Sequence, residues 1–283
     1  MEKEVLIKKT DGSMEPFQSG KLRRSLRRAG ASDEHVEEIV AEVLGMLESR
    51  MSTTQIYKKA HSLLRKKEAC TVTARYSLKR AVFALGPSGF PFEAFIGELY
   101  QAEGYRVSNN DILEGRCVSH ETDMLATSDN KTIAAEIKFH NRLGIKTDLK
   151  AALYVKARFD DLVGVYDKKL DVTISEGVLI TNTKFTSNAE RYGTCAGLSM
   201  ISWSYPHKDG NLHARIIGAG LHPVTCLPSI SSREKRILLE HNLVLCRDIK
   251  EHSGELVRYG ISEKKIPVLL EEASTLCQSC EKV

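Results

Sequence analysis

The sequence predicts a mixed α/β (α+β) protein made of three consecutive segments, and three observations support this fold class. Residues 1–88 begin with two short apolar runs around a polar turn and continue as four amphipathic helical patterns. Residues 89–206 alternate helical and strand patterns in the order α-β-β-β-α-β-α-β, which predicts a mixed sheet flanked by helices. Residues 207–283 read as a linker with a short strand, followed by short amphipathic helices that predict a small bundle.

The composition is typical of a globular protein, with 42% hydrophobic and 28% charged residues among 283. A formal net charge of +4 permits a polyanionic partner without requiring one. There is no leader pattern and no apolar run long enough to span a bilayer, so we expect a cytoplasmic protein without a membrane partner. Seven cysteines, an odd number, favour reduced thiols. Cys277 and Cys280 are expected to be exposed thiols, because a zinc site would need two more ligands.

The first segment has clear signals for a hairpin and for helix starts. An apolar run at residues 5–7, a polar turn at residues 10–13 and a returning segment at residues 15–17 predict two short antiparallel strands. Ser32 and Ser52 are predicted N-caps. A Gly- and Pro-rich stretch then marks a domain boundary at residue 88. The predicted helices cover residues 21–30, 33–49, 54–66 and 73–85.

This hairpin and its helices, with IKKTDGSMEPF and KL at the start, resemble the ATP-cone, a nucleotide-sensing module of ribonucleotide reductases and of the repressor that controls them. The resemblance covers about residues 3–86 and implies ATP or dATP as a regulatory ligand. Two positions depart from the pattern. Thr10 stands where the family commonly has arginine, and Tyr57 where some members have histidine.

The resemblance also implies roles for individual residues. Lys9 and Lys21 would contact phosphates, which suits lysine because its ammonium is a mobile point charge. Glu15 would contact the ribose or a neighbouring water, and Thr53 and Tyr57 would lie near the base.

The central segment places charged residues in strands that are otherwise apolar. Residues two apart in a strand point to the same side, so Glu136 and Lys138 share one surface. The short polar stretch 127–131 predicts a hairpin that brings Asp123 beside Glu136. Carboxylate oxygens suit Mg²⁺, or Mn²⁺ in its place, and a neighbouring lysine can orient or help deprotonate a water. This combination is typical of phosphodiester hydrolysis.

With the elements around it, this stretch resembles the PD-(D/E)XK nuclease superfamily, and within it the Mrr-like restriction endonucleases, over residues 90–206. The resemblance implies that Asp123 and Glu136 are metal ligands, Lys138 activates water and Glu93 is an accessory acid. Mrr-like enzymes often have glutamine where Glu136 stands, and glutamate is the superfamily's other common choice.

Basic residues near this site are candidates for contacts with nucleic acid. Lys146, Lys150 and Arg158, with Lys156, follow the acidic strand and would flank the site. His140 comes directly after the strand and reads equally well as a substrate contact or as part of a turn. The C-terminal helices resemble a helix-hairpin or SAM-like bundle, which would bind nucleic acid or a protein partner.

The leading hypothesis is therefore a Mg²⁺-dependent DNA endonuclease, regulated by ATP or dATP, that acts as a homo-oligomer in restriction or genome defence. One alternative is a nucleotide-responsive DNA-binding regulator whose nuclease fold does not cut. Another is an RNA or structure-specific nuclease, because the same three residues would serve either substrate.

Overall fold

The computed structural model describes residues 5–278, which form two compact units. The first unit combines the chain up to residue 81 with the chain from residue 222 onward, and the second comprises Val82–Leu221. The predicted boundaries at residues 88 and 206 both fall inside the second unit, and the three predicted domains stay a prediction. The predicted α/β fold class is confirmed. No helix within residues 5–278 has the length and hydropathy that a bilayer-spanning segment needs.

The first unit opens with the predicted hairpin and four helices. Ser32 and Ser52 act as N-caps, as predicted, because their side chains accept the backbone N–H groups of His35 and Gln55. Leucine, isoleucine and valine side chains from the helices form a buried core beneath the hairpin strand that carries Ile7. The elements are β1 (Leu6–Lys8), β2 (Met14–Pro16), α1 (Ser19–Ala29), α2 (Asp33–Gly45), α3 (Thr53–Lys67) and α4 (Cys70–Phe83).

The second unit is built on a five-stranded mixed sheet. Its elements are α5 (Phe90–Ala102), β3 (Arg106–Glu114), β4 (Ser119–Ser128), β5 (Lys131–Lys138), β6 (Lys146–Thr147), α6 (Leu149–Leu162), β7 (Tyr166–Asp167), β8 (Val172–Thr173), β9 (Glu176–Thr181), β10 (Lys184–Phe185), α7 (Ser187–Ala196), β11 (Ser199–Ile201) and α8 (Leu212–Ala219). The strand order is β11-β9-β5-β4-β3, with β3, β4 and β5 antiparallel and β5, β9 and β11 parallel.

The two faces of this sheet carry different helices. Leu125 and Ala134 belong to a buried cluster that includes Val155 and Phe159 of α6 and Ala189 of α7. Helix α5 packs against β3 and β4, where the alternate residues of each strand face the other side. Because β5 is central and covered, most of its side chains are apolar, and a charged residue there stands out.

One prediction for the end of this unit is wrong. Residues 207–223 were expected to be a linker with a short strand, but they contain helix α8. Asn211 caps this helix by accepting the Ala214 N–H, and Gly220, with a φ of 68°, ends it in the left-handed conformation. Arg215 on α8 forms an ion pair with Glu103, which follows α5. The Arg215–Glu103 ion pair joins segments that are distant in the sequence, and a local residue pattern does not reveal such a contact.

The C-terminal segment is helical, as predicted. Its helices are short and pack around buried residues such as Leu238, Leu256 and Leu269. The Thr225 hydroxyl donates a hydrogen bond of 2.6 Å to the Ala81 carbonyl within the same unit. Cys277 is partly buried rather than exposed, and Cys280 lies outside the described residues. The elements are short 3₁₀ turns at Val224–Cys226 and Glu263–Lys265, and helices α9 (Ser232–Glu240), α10 (Asp248–Glu251) and α11 (Ile266–Gln278).

Gly177 in β9 makes the close approach of α6 to the sheet possible, because a Cβ at this position would overlap the Phe159 ring. We expect Gly177→Ala to lower the free energy of unfolding by about 1–3 kcal/mol, the usual cost of overpacking a core. Gly218→Ala is the control, since a Cβ there meets nothing within 4 Å. Denaturant unfolding of both variants checks this, and equal midpoints would contradict the packing described here.

Candidate functional site

The predicted acidic pair lies at one end of the central sheet, where β4 and β5 run side by side. Met124 pairs with Ala135, which places Asp123 opposite Glu136 at the next position of the register. The Asp123 Oδ2 accepts a hydrogen bond from the Ile137 N–H at 2.5 Å. The hairpin therefore brings the two carboxylates together as the sequence predicts.

Glu136 is the most buried charged group of this site, with only 4% of its surface exposed. Its Oε1 is ion-paired with Nζ of Lys138, two residues along the same strand. Its Oε2 is ion-paired with Nη1 of Arg158 on α6. A buried carboxylate is costly unless it is paired, so these two cations are what allow it to remain charged in the sheet.

Glu93 approaches the same place from the first turn of α5. Burial raises its pKa, and the negative charge of Asp123 raises it further, while Lys138 lowers it. Burial also raises the pKa of Asp123, an effect that the Ile137 N–H opposes and the charge of Glu136 reinforces. The predicted accessory acid thus belongs to the same electrostatic cluster as the two strand carboxylates.

This donor set fits a divalent cation of the Mg²⁺ type. Within residues 5–278 no three His, Cys, Asp or Glu side chains are grouped so that they could hold a metal on their own. Mg²⁺, however, is usually held by one or two carboxylates together with waters and substrate phosphates. Asp123 and Glu136 are oxygen donors in adjacent strands and would form that smaller set, although both oxygens of Glu136 are paired with Lys138 and Arg158.

A buried polar network supports the end of β5. The Asn182 side-chain amide forms two hydrogen bonds with the backbone of His140. Its oxygen accepts the His140 N–H at 2.9 Å, and its nitrogen donates to the His140 carbonyl at 2.8 Å. The His140 Nε2 lies 3.0 Å from the Thr147 hydroxyl, which is 3.2 Å from that of Thr181. Burial lowers the pKa of His140, and Lys138 lowers it further. This network fixes the backbone directly after Lys138.

The basic residues predicted to contact nucleic acid have different environments. Lys146 and Lys150 are exposed, as a contact with a polyanion requires. Lys156 is ion-paired with Asp160 on its own helix. Arg158 turns toward Glu136 and leaves only 14% of its side chain exposed, which is not the setting expected of a surface phosphate contact. The pattern of α6 alone does not show that its Arg158 faces β5.

Three of the residues implied for nucleotide binding, Lys9, Glu15 and Lys21, lie together at the N-terminal hairpin. Lys9 Nζ is 3.1 Å from Glu15 Oε2, and Lys21 Nζ at the start of α1 is 3.9 Å from the same oxygen. The backbone of Lys8 bridges to Ser52, which brings the first turn of α3 beside β1. These contacts place two ammonium groups around one carboxylate on a partly exposed surface.

Thr53 opens α3, and Tyr57 lies one turn further along the same helix. The Tyr57 ring stacks on that of Tyr76, with centroids 5.2 Å apart and planes at 4°. The Arg80 guanidinium lies 3.9 Å from the Tyr57 ring centroid. Burial raises the pKa of Tyr57 to about 12. The sequence interpretation missed Tyr76 and Arg80, although their spacing of four on α4 places them on one helix face.

The raised pKa of Asp123 predicts that Asp123→Asn raises the melting temperature by a few degrees at pH 7. A carboxyl whose pKa is higher in the folded state contributes stability at low pH that is lost as the pH rises through the folded pKa. Asparagine removes the charge, and its amide oxygen still accepts the Ile137 N–H. The difference should shrink as the pH falls toward about 4, where an unfolded aspartate takes up its proton.

Thermal unfolding at pH 4 to 8 measures this difference, with Asp129→Asn in the exposed hairpin turn as the control. A variant that is less stable than the wild type at pH 7 would contradict the unfavourable burial of the Asp123 charge.

Comparison with known proteins identifies both ends of the first unit. The family described as ATP cone domain matches residues 5–82, which confirms the ATP-cone predicted from the hairpin motif. A second family, described as AF1548-like, C-terminal, matches residues 222–277. The predicted likeness of this second segment to a helix-hairpin or SAM-like bundle stays a prediction.

Two relatives match about two thirds of the chain. An uncharacterized protein of Archaeoglobus fulgidus is 35% identical over 179 residues, which are 63% of this chain and 97% of the relative. The crystal structure of a protein of unknown function, AF1548, aligns with a TM-score of 0.53 and 30% identity over 68% of this chain and all of that one. Neither description names an activity. With an ATP-cone at its N-terminus, the chain belongs to the AF1548-like family.

Proposed function

We propose that the protein is a Mg²⁺-dependent nuclease that cuts DNA under the control of ATP or dATP. The observation that carries the proposal is the meeting of Asp123, Glu136 and Lys138 at one end of the sheet, with Glu93 close enough to perturb the cluster. Two acidic ligands for a cation and a lysine that can orient a water are suited to metal-assisted hydrolysis of a phosphodiester. The ATP-cone supports the regulatory half of the proposal.

In this mechanism Asp123 and Glu136 would hold the cation, which when bound would neutralise charge on the scissile phosphate and acidify a water. Lys138 would orient the attacking water through its ammonium hydrogens and stabilise the negative charge that develops on the phosphate oxygens. Arg158 keeps the Glu136 carboxylate in place from the side of α6. Glu93, whose pKa is raised, is suited to exchange a proton near the leaving group.

The partner is a nucleic acid in this proposal because exposed cations follow the acidic strand β5 along the chain. Lys146 and Lys150 lie on β6 and in the first turn of α6, shortly after the end of β5. They would pair with the phosphates of a bound strand. Asp123, Glu136 and Lys138 would serve an RNA substrate equally well, and the cleavage assay described below therefore includes an RNA strand.

A second candidate is a nucleotide-responsive DNA-binding regulator that does not cut. One observation favours it: both oxygens of Glu136 are ion-paired with Lys138 and Arg158, so this carboxylate is engaged by the protein itself. The two candidates differ in whether Mg²⁺ produces cleavage.

We expect Asp123→Ala, Glu136→Ala and Lys138→Ala each to lower the cleavage rate by at least about 100-fold, the usual cost of losing one preorganised electrostatic contact. Binding of DNA should change little. The assay uses plasmid DNA, linear DNA and an RNA strand, with Mg²⁺, with Mn²⁺ and with chelator. Glu121→Ala is the matched control, since this carboxylate is exposed and lies two residues from Asp123 on the same strand.

If the three variants cut at the wild-type rate in Mg²⁺, the site is misassigned. If the wild type binds DNA but cuts nothing under any of these conditions, the regulator is the better description.

The cone should control the oligomeric state and the cleavage rate together, without hydrolysis of the nucleotide. A ligand shifts such an equilibrium by its differential affinity for the two states, about 1–3 kcal/mol or about 5- to 150-fold. We expect the double variant Lys9→Ala with Lys21→Ala to lose both responses. Mass photometry and cleavage with ATP, dATP and a non-hydrolysable analogue measure them.

The control for this experiment is the double variant Arg24→Ala with Arg28→Ala, which removes two exposed cations of α1. Identical mass and identical rate under every nucleotide, with binding confirmed by calorimetry, would contradict control by the cone.

A further inference from the structure

A concave pocket of about 540 Å³ lies in the second unit, between the β3–β4 turn and the exposed face of α6. Its volume is within the range of sites that hold small molecules or single nucleotides, about 300–1,000 Å³. Arg158, which is ion-paired with Glu136, forms part of its wall. The Arg158 side chain therefore connects the pocket to Glu136, one of the proposed catalytic carboxylates.

The wall formed by the β3–β4 turn is held rigidly by Asp161 of α6. The Asp161 carboxylate accepts the N–H groups of Cys117 and Val118 at 2.9 and 3.3 Å, and it lies 2.9 Å from His120 Nε2. A Cβ at Gly115 would overlap the same carboxylate. The hydrogen bond with His120 lowers the pKa of Asp161 to about 2. The pocket is thus preformed by the fold.

The charged lining of the pocket is balanced, with Arg116 and Arg158 beside Asp160 and Asp161, and Tyr154 contributes an aromatic ring. Tyr154 is 61% exposed and Val118 is 60% exposed, and both side chains line the pocket. The Arg158 guanidinium carbon lies 5.7 Å from the Tyr154 ring centroid. Arg158 Nε is buried and has no hydrogen-bond partner among the described residues. An exposed aromatic face with a guanidinium beside it is suited to stacking by a nucleobase.

We propose that this pocket binds an unstacked nucleobase of the nucleic-acid substrate, with the base stacked on Tyr154. The proposal rests on the proposed function. A base inside a duplex is covered on both faces by its neighbours and cannot present a face to Tyr154. The substrate class is accordingly a strand with an unpaired base, such as a single strand, an overhang or a duplex with an extruded nucleotide.

The test measures binding without cleavage, in the full chain carrying Asp123→Asn. The probes are a fluorescein-labelled single-stranded DNA and a blunt hairpin duplex, titrated by fluorescence anisotropy at fixed salt. Tyr154→Ala should weaken binding of the single strand by about 5- to 150-fold, which is about 1–3 kcal/mol for one stacked base. Binding of the duplex should be unchanged, and Tyr154→Phe should restore affinity because it keeps the ring.

Leu153→Ala is the matched control, since Leu153 is the neighbouring exposed residue of the same helix and does not line the pocket. A 2-aminopurine placed along the strand should be quenched at one position in the protein that has Tyr154 and regain fluorescence in Tyr154→Ala.

The proposal is overturned if Tyr154→Ala leaves single-strand binding unchanged, if it weakens the duplex equally, if Leu153→Ala has the same effect, or if neither probe binds. These results are separate from those of the cleavage assay. A strand-selective loss in a protein that never cuts would support the pocket and refute the nuclease. If cleavage depends on Asp123 but Tyr154→Ala leaves single-strand binding unchanged, the nuclease is supported and the pocket proposal is refuted.

Discussion

The buried carboxylate of Glu136 is the constraint on which the site depends. It lies in the central strand of the sheet, where neighbouring positions are apolar, and it can stay charged only because Lys138 and Arg158 pair with its two oxygens. Those pairings set the position of α6 against the sheet, and Gly177 in β9 leaves the room that this approach needs. Packing and electrostatics therefore impose the same arrangement on the helix.

The end of the sheet next to Lys138 carries polar side chains because backbone groups there need hydrogen-bond partners. Thr181, which pairs with Lys138, and the following Asn182 and Thr183 are all fully or almost fully buried. Where the ladder stops, the Thr181 hydroxyl donates to the Lys138 carbonyl and the Asn182 side chain bonds to the backbone of His140. An apolar sheet end would leave these backbone groups unpaired. The network holds the chain rigid next to the charged cluster, which a site that orients a water and a phosphate requires.

Local patterns in the sequence were sufficient for much of this arrangement. The period of two in β5 placed Glu136 and Lys138 on one surface, the polar turn placed Asp123 beside them, and the hairpin motif identified the ATP-cone. What the sequence could not provide depends on contacts between distant segments. Arg158 looked like a surface cation because its helix pattern does not say which strand it faces. Helix α8 looked like a linker because its packing partner, α5, lies more than a hundred residues away.

The balance of charge explains why such a site would take a cation before a phosphate. Three carboxylates, from Glu93, Asp123 and Glu136, face only two cations, from Lys138 and Arg158, so the cluster has a net charge of one negative when all are ionised. Burial raises the pKa values of Glu93 and Asp123, and carboxylate charges add to the rise. A phosphate that approaches this cluster alone meets an unfavourable potential, whereas a divalent cation is attracted to it. Once bound, that cation would reverse the sign of the local charge, and the proposed substrate would then be attracted to the same groups.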